Sequence, residues 1–268
     1  MISMTRYSIK NESLTPWVKF IWCYEEENAN IHNKLLPTDS IDVLLNLADE
    51  MIYEVNGSKI VAPPIHINGL RSSYSFIHQV GHIRVFGISF HSYGLYPFVH
   101  KSVKCTRDKI IRLDNLSLSL TNKLQSAISF SNTNEVVCNI ERALDSEFIS
   151  DPDYMIKANL ISDFINVDND MTVQEFCAER HMNIKTFERF ILRYTGYTPK
   201  ALRRIKRFQM VSNQLIHEQI NLLDLTYHNS YADQSHFIKE FRLFSGKAPR
   251  VFQKEKISVK ENATYSYI

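Results

Sequence analysis

The chain has 268 residues, 44% of them hydrophobic and 22% charged, and a formal net charge of +2. That length favours two domains over one core, and the balance is that of an ordinary soluble globular protein. The opening residues, MISMTRYSIKNESL, hold no apolar run of signal-peptide length and no stretch approaches a membrane span, so a cytoplasmic location is expected. Cys23, Cys105, Cys138 and Cys177 are scattered without a C-x-x-C spacing, which suits a reducing compartment and speaks against a zinc site.

From Ser40 to Phe98 the pattern predicts strands. SIDVLLNL suits a buried strand, and MIYEV and KIVAP flank Asn56-Gly57, a tight-hairpin signal. PIHING and HIRVFGISF read as further strands. His66, His78, His82 and His91 lie in or near these segments, yet neither PIHING nor HQVGH gives the tight His-x-His and carboxylate of a metal-binding barrel. They are read as bonded or exposed, and no metal or cofactor is expected. Trp17, Trp22, Tyr24, Tyr53 and Tyr74 are read as core rather than as the lining of a ligand pocket. LSLSLTNKLQSAISF and NEVVCNIERALDSEF then predict two helices, a helical annex after the β-rich part.

The remainder is helical and contains an internal duplication. NIKTFERFILRYTGYTP, from Asn183, and DQSHFIKEFRLFSGKAP, from Asp233, align fifty positions apart. Each has a capping residue, an apolar stripe, a glycine stop and a proline: Phe187, Ile191 and Tyr194 match Phe237, Phe241 and Phe244, and Gly196 and Pro199 match Gly246 and Pro249. A shorter helix precedes each copy. Thr172 and Glu175 form a capping box before Val173, Phe176 and Cys177; Asn221 caps the second, with Leu222 and Leu225 buried. Thr198 and Pro199 open a connecting helix reaching about Ile216. Two helices joined by a short turn, twice over, make a pair of helix-turn-helix units.

In such a unit the second helix enters the major groove with its N-terminal residues against base edges. Lys185, Glu188 and Arg189 fall opposite the apolar stripe of the first copy; Gln234, Ser235, His236 and Lys239 occupy the same exposed turns of the second. Arg or Lys can donate to guanine, Gln to adenine, and Glu can accept from cytosine. Arg193, Arg203, Arg204, Lys206, Arg207 and Arg242 are candidates for phosphate, although an Arg beside a core also covers apolar surface with its stem. Residues 1–154 carry 14 Lys and Arg against 17 Asp and Glu, and residues 155–256 carry 16 against 11, so the excess of positive charge lies with these helices.

TVQEFCAERHMNIKTFERFILRYTGYTPKALRRIKR followed by DQSHFIKEFRLFSGKAPRVF resembles the DNA-binding domain of the AraC family of transcription regulators, over about Ile156 to Phe252. The resemblance implies two reading helices in successive major grooves on one face of double-stranded DNA, and its base-facing positions fall on the same seven residues. Departures are His181 and Ser230 where glycine is usual in each turn, and Thr226 where alanine is common. A side chain in a left-handed turn costs about 1 kcal/mol. The first half is similar to an uncharacterised domain found ahead of AraC-type domains, through Pro16 to Tyr24, LLPTDSIDVLLNL, HINGLR and VFGISFHSYGLYPF. In that architecture such a domain senses a small-molecule effector, forms a homodimer, or both, and an activator would also meet RNA polymerase.

The expected fold is therefore α+β: a β-rich sensing or dimerising domain over residues 1–112, a helical annex and linker over 113–154, an all-α double helix-turn-helix domain over 155–256 and a tail over 257–268. The expected function is sequence-specific regulation of transcription, without catalysis. Two other readings are an enzyme whose catalytic β-rich domain is tethered to DNA, which predicts metal or turnover in residues 1–150, and a protein-interaction module, whose binding would resist salt.

Overall fold

The computed structural model describes residues 4–130, 132–167, 171–217, 221–229 and 231–259. Its first part is an antiparallel sheet of β1 (Thr5–Tyr7), β2 (Val18–Leu35), β3 (Ser40–Asn46), β4 (Met51–Val55), β5 (Ser58–Val61), β6 (Ile65–Asn68), β7 (Ser75–His91) and β8 (Ile110–Arg112). The long strand β7 organises it. β2 pairs with β7 from Val18 opposite Phe90 to Leu35 opposite Ser75. Along the other edge of β7, β3 covers the C-terminal end and β4 the N-terminal end. β6 and β8 extend the sheet beyond β3, and β1 lies outside β2. The Asn56-Gly57 hairpin joins β4 to β5 with φ of 51° and 77°, the pair of positive angles a type I′ turn requires.

Both faces of this sheet are buried, which is why SIDVLLNL runs apolar without alternating. One face, with Ile21, Ile41, Val43, Phe86, Ile88 and Phe90, joins a core shared with the helices. The other holds Trp22, Tyr24, Leu44, Tyr53, Ile77 and Val85 in a second cluster. With no helical residue among its members, the sheet itself closes over that cluster. The indole of Trp22 lies on Gly87, its cross-strand partner, where a Cβ would fall 1.9 Å from the ring. His66 is fully buried, with Nε2 3.1 Å from the Tyr53 hydroxyl and Nδ1 2.7 Å from the Pro63 carbonyl, and burial holds its pKa down at about 4. It is a neutral core group with both nitrogens engaged.

Two strands depart from the sequence pattern: β2 lies ahead of Ser40, where no strand is predicted, and β7 is longer than HIRVFGISF. β2 continues past Glu25-Glu26-Glu27, where a register shift between Glu26 and Ala29 breaks the alternation. β7 begins at Ser75 and passes through Gly81 at φ 101°, the residue that makes HIRVFGISF look like a separate strand.

The helices are α1 (Tyr96–Val99), α2 (Leu118–Ala127), α3 (Thr133–Glu147), α4 (Pro152–Asn166), α5 (Val173–Glu179), α6 (Ile184–Thr195), α7 (Pro199–His217), α8 (Leu222–His228), α9 (Gln234–Ser245) and α10 (Pro249–Val259). Ser117 and Asn132 cap the two annex helices, α2 and α3. α4 opens on Pro152 behind an Asp151 cap, ahead of the boundary expected at residue 155.

The β-rich and helix-turn-helix regions pack directly on one another. A single apolar cluster runs from the sheet through the annex into both helix-turn-helix units. Tyr96 of α1 stacks on Tyr194 of α6 at 4.1 Å, and the Tyr197 hydroxyl donates to the Leu70 carbonyl at 3.0 Å. Lys206 of α7 donates to Asp39 at 3.0 Å, and Lys34 of β2 donates to the Ser245 carbonyl at 2.9 Å. Composition gives no sign of this, because an apolar surface looks the same whether it meets its own domain or a neighbour.

Asp39 is the charged hinge-pin of that contact. Burial opposes its ionisation, but Lys19 at 2.6 Å and Lys206 at 3.0 Å outweigh it and hold the carboxyl at about 2, below the ordinary 3.8. A folded pKa below the unfolded one means that the stabilisation, about 2 kcal/mol, is complete above about pH 4 and is lost as pH falls to about 2. Asp39→Asn should therefore destabilise the chain at pH 6 and leave the two proteins converging near pH 2, measured as thermal midpoints across that range.

Candidate nucleic-acid interface

Each unit is built as its residues dictate. In the first, the Thr172 hydroxyl accepts from the Glu175 N–H at 3.1 Å while the Glu175 carboxylate accepts from the Thr172 N–H at 2.7 Å, starting α5. His181 carries the chain through the turn at φ 49°, the left-handed conformation expected there, so this turn holds its strain without glycine. Ser230, at the equivalent place in the second unit, lies outside the described residues. Asn183 caps α6 and Asp233 caps α9, and both helices end on a left-handed glycine, Gly196 at φ 78° and Gly246 at φ 73°.

The two reading helices bury their aromatic stripes completely: Phe187, Ile191, Tyr194, Phe237, Phe241 and Phe244 are all at or below 2% exposure. On α6, Lys185, Glu188 and Arg189 are exposed; on α9, Gln234, Ser235, His236 and Lys239 are exposed. All seven side chains face solvent in the first turns of their helices. The His236 ring meets Tyr231 edge-on at 5.6 Å, and its Nε2 lies 3.9 Å from the Glu240 carboxylate.

The phosphate candidates separate. Arg193 is exposed, with its guanidinium 5.1 Å from the Tyr96 ring, and Arg242 is exposed. Arg203 is a correction: its guanidinium donates to the carbonyls of Phe164 and Met171 and lies 3.9 Å from the Phe164 ring, so it buttresses α4 against α7. Arg204 and Arg207 both pair with Glu240, at 2.7 and 2.6 Å, and Lys206 is committed to Asp39.

Glu240 is the residue that sequence reasoning missed. Its side chain is only 3% exposed, and it ties α9 to the connecting helix α7. The signal was present: Glu240 falls three residues after Phe237 and four before Phe244, inside the buried stripe, where a carboxylate needs a cationic partner. Fifty positions earlier stands Phe190, which packs at 5.2 Å against Phe187. At this position the first unit uses a ring and the second a charge, although Phe208 of α7 also packs on Phe241 and Phe244 of α9.

Residues 176–255 match the family model of a helix-turn-helix domain, and residues 11–112 match that of a domain of unknown function, DUF6597. The chain carries an AraC-type helix-turn-helix domain. DNA binding in the regulation of transcription is the work of such AraC-type domains. Among solved structures the chain is similar to ToxT from Vibrio cholerae O395, at 12% identity, covering 87% of this chain and 96% of that one with a TM-score of 0.44. It is also similar to unsaturated fatty acid-bound ToxT from Vibrio cholerae strain SCE256, at 11% identity over 93% and 97% of the two chains with a TM-score of 0.44. A DNA-binding transcriptional dual regulator from Escherichia coli K-12 is 17% identical over 38% of this chain and 93% of that one, with a TM-score of 0.34. No curated protein matches the sequence. Among the described residues no helix is long and apolar enough to cross a membrane.

Removing one partner of a buried ion pair strands the others. Glu240→Ala should cost about 3 kcal/mol, the low end for such a loss because Arg204 is 37% exposed. Lys239→Ala should stay within about 0.5 kcal/mol of the parent. Chemical denaturation of the two variants checks both.

Proposed function

We propose that the protein is a sequence-specific regulator that reads two successive major grooves with α6 and α9, under the control of its β-rich region. One observation carries this reading. The polar N-terminal turns of both reading helices face solvent, while their C-terminal glycines abut the β-rich region: Gly196 against the turn at Val103–Thr106, Gly246 against the ring of Tyr74. The ends that would enter DNA are clear, and the ends that would set their spacing are held.

Control follows from that arrangement. A small molecule or a second copy that shifts the sheet relative to α7 would move both reading helices, because the sheet reaches α7 through Asp39 and α9 through Lys34. The role needs no catalysis by the β-rich region. Its partners are double-stranded DNA, an effector or a homodimer, and RNA polymerase where the outcome is activation.

Selection of bound sequences from random duplex by the full chain tests the reading. The recovered site should contain two elements whose centres are about 34–36 Å, one helical turn, apart. Arg189→Ala should lose about 1–3 kcal/mol of specific binding and relax preference in one element only, and Lys239→Ala in the other. Parental affinity and preference in both variants would reject the assigned reading face.

A further inference from the structure

Between the two units the structure encloses an open cleft of about 590 Å³. Its walls are the start of α5 at Thr172 and Val173, one face of α7, and the first turns of α9. Lys200, Arg203, Arg204 and Arg207 line it, with Glu240 and His236, so four fixed cations face one carboxylate. Their duties differ. Arg203 holds the α4 side of the wall, and Arg207, 14% exposed and 4.1 Å from the Tyr231 ring, holds the α9 side through Glu240. Lys200, the second residue of α7, is exposed. Arg204 gives its Nε–H to Glu240 and remains 37% exposed.

The position of the cleft matters as much as its charge. His236, on its rim, belongs to the reading face of α9, and the opposite wall belongs to the first unit. If α6 and α9 occupy successive major grooves, the duplex between those grooves must cross the space between the units, and what it presents there is sugar and phosphate, at one negative charge per 1.7 Å of axis. We propose that this cleft seats the DNA backbone between the two half-sites, with Lys200 and Arg204 as its phosphate ligands and Arg203 and Arg207 as the supports of its walls. The assignment rests on the two-groove reading. It also gives the connecting helix a task in binding beyond spacing the units. Contacts of this kind add affinity without sequence preference.

The test is equilibrium binding of the full chain to its selected duplex and to a scrambled duplex over a salt series. Lys200→Ala, an exposed change whose fold is checked by its thermal midpoint, should weaken binding to both duplexes by the same factor. It should also flatten the slope of log K against log salt by about 0.9, the value of one phosphate contact on B-form DNA. Lys200→Glu should weaken both further. His236→Ala should alter preference among selected sequences while keeping the parental slope. A parental slope and affinity in Lys200→Ala overturns the proposal. Failure of the underlying reading looks different: scrambling one half of the selected site would then leave the parent's own affinity unchanged, which overturns both. A parent that needs both halves, beside a Lys200→Ala variant with parental slope, overturns the cleft assignment alone.

Discussion

The left-handed glycine at the end of each reading helix fixes much of what surrounds it. A helix that stops on such a residue can be butted end-on against a neighbour, and here both are. At Gly246 the approach is so close that a Cβ would lie 2.6 Å from Tyr74; at Gly196 the backbone of Val103 stands at 3.2 Å from the same hypothetical atom. Pinning both helices by their C-terminal ends leaves the opposite ends projecting, and it explains why one apolar core passes through regions that the sequence divides.

The two units are homologous in pattern and unlike in how they are fixed. Phe164, Phe176, Phe187 and Phe190 form a cluster of rings around the first, with neighbouring centroids near 5 Å. The second trades the equivalent of Phe190 for Glu240 and draws two arginines from α7 onto it. Apolar packing tolerates small sliding motions, whereas a desolvated carboxylate held by two guanidiniums accepts few geometries. The angle between α7 and α9 is therefore set by directed bonds together with the packing of Phe208 on Phe241 and Phe244, whereas rings dominate around the first unit.

Local rules made the helical region legible. Thr172, Asn183, Asn221 and Asp233 cap where their side chains say they should, and the aromatic stripes face inward. The Asn56-Gly57 hairpin was equally plain. What escaped depends on partners distant in sequence. The acidic run that ends the apolar pattern of β2 is carried on by pairing with β7, and the fate of each arginine on α7 is decided by Phe164, Glu240 or Tyr231 rather than by its neighbours. A stem that covers a ring and a stem that reaches outward have the same spelling. Lys206 is the sharpest case, since its acceptor, Asp39, lies in the β-rich part.

Lys34 shows what this interdependence means for handling the molecule. Its ammonium rests 4.3 Å from the Tyr74 ring and donates to the Ser245 carbonyl, at the negative end of the α9 dipole. Beside its own last-turn cation, Arg242, the second reading helix thus borrows another from a strand of the sheet. Cutting the chain near residue 150 would release a fragment that keeps every base-facing side chain yet has lost that borrowed charge, the Asp39 anchor and one wall of its apolar interior. A truncated reader would be a different object from the reader in place, and its behaviour on DNA would describe the fragment.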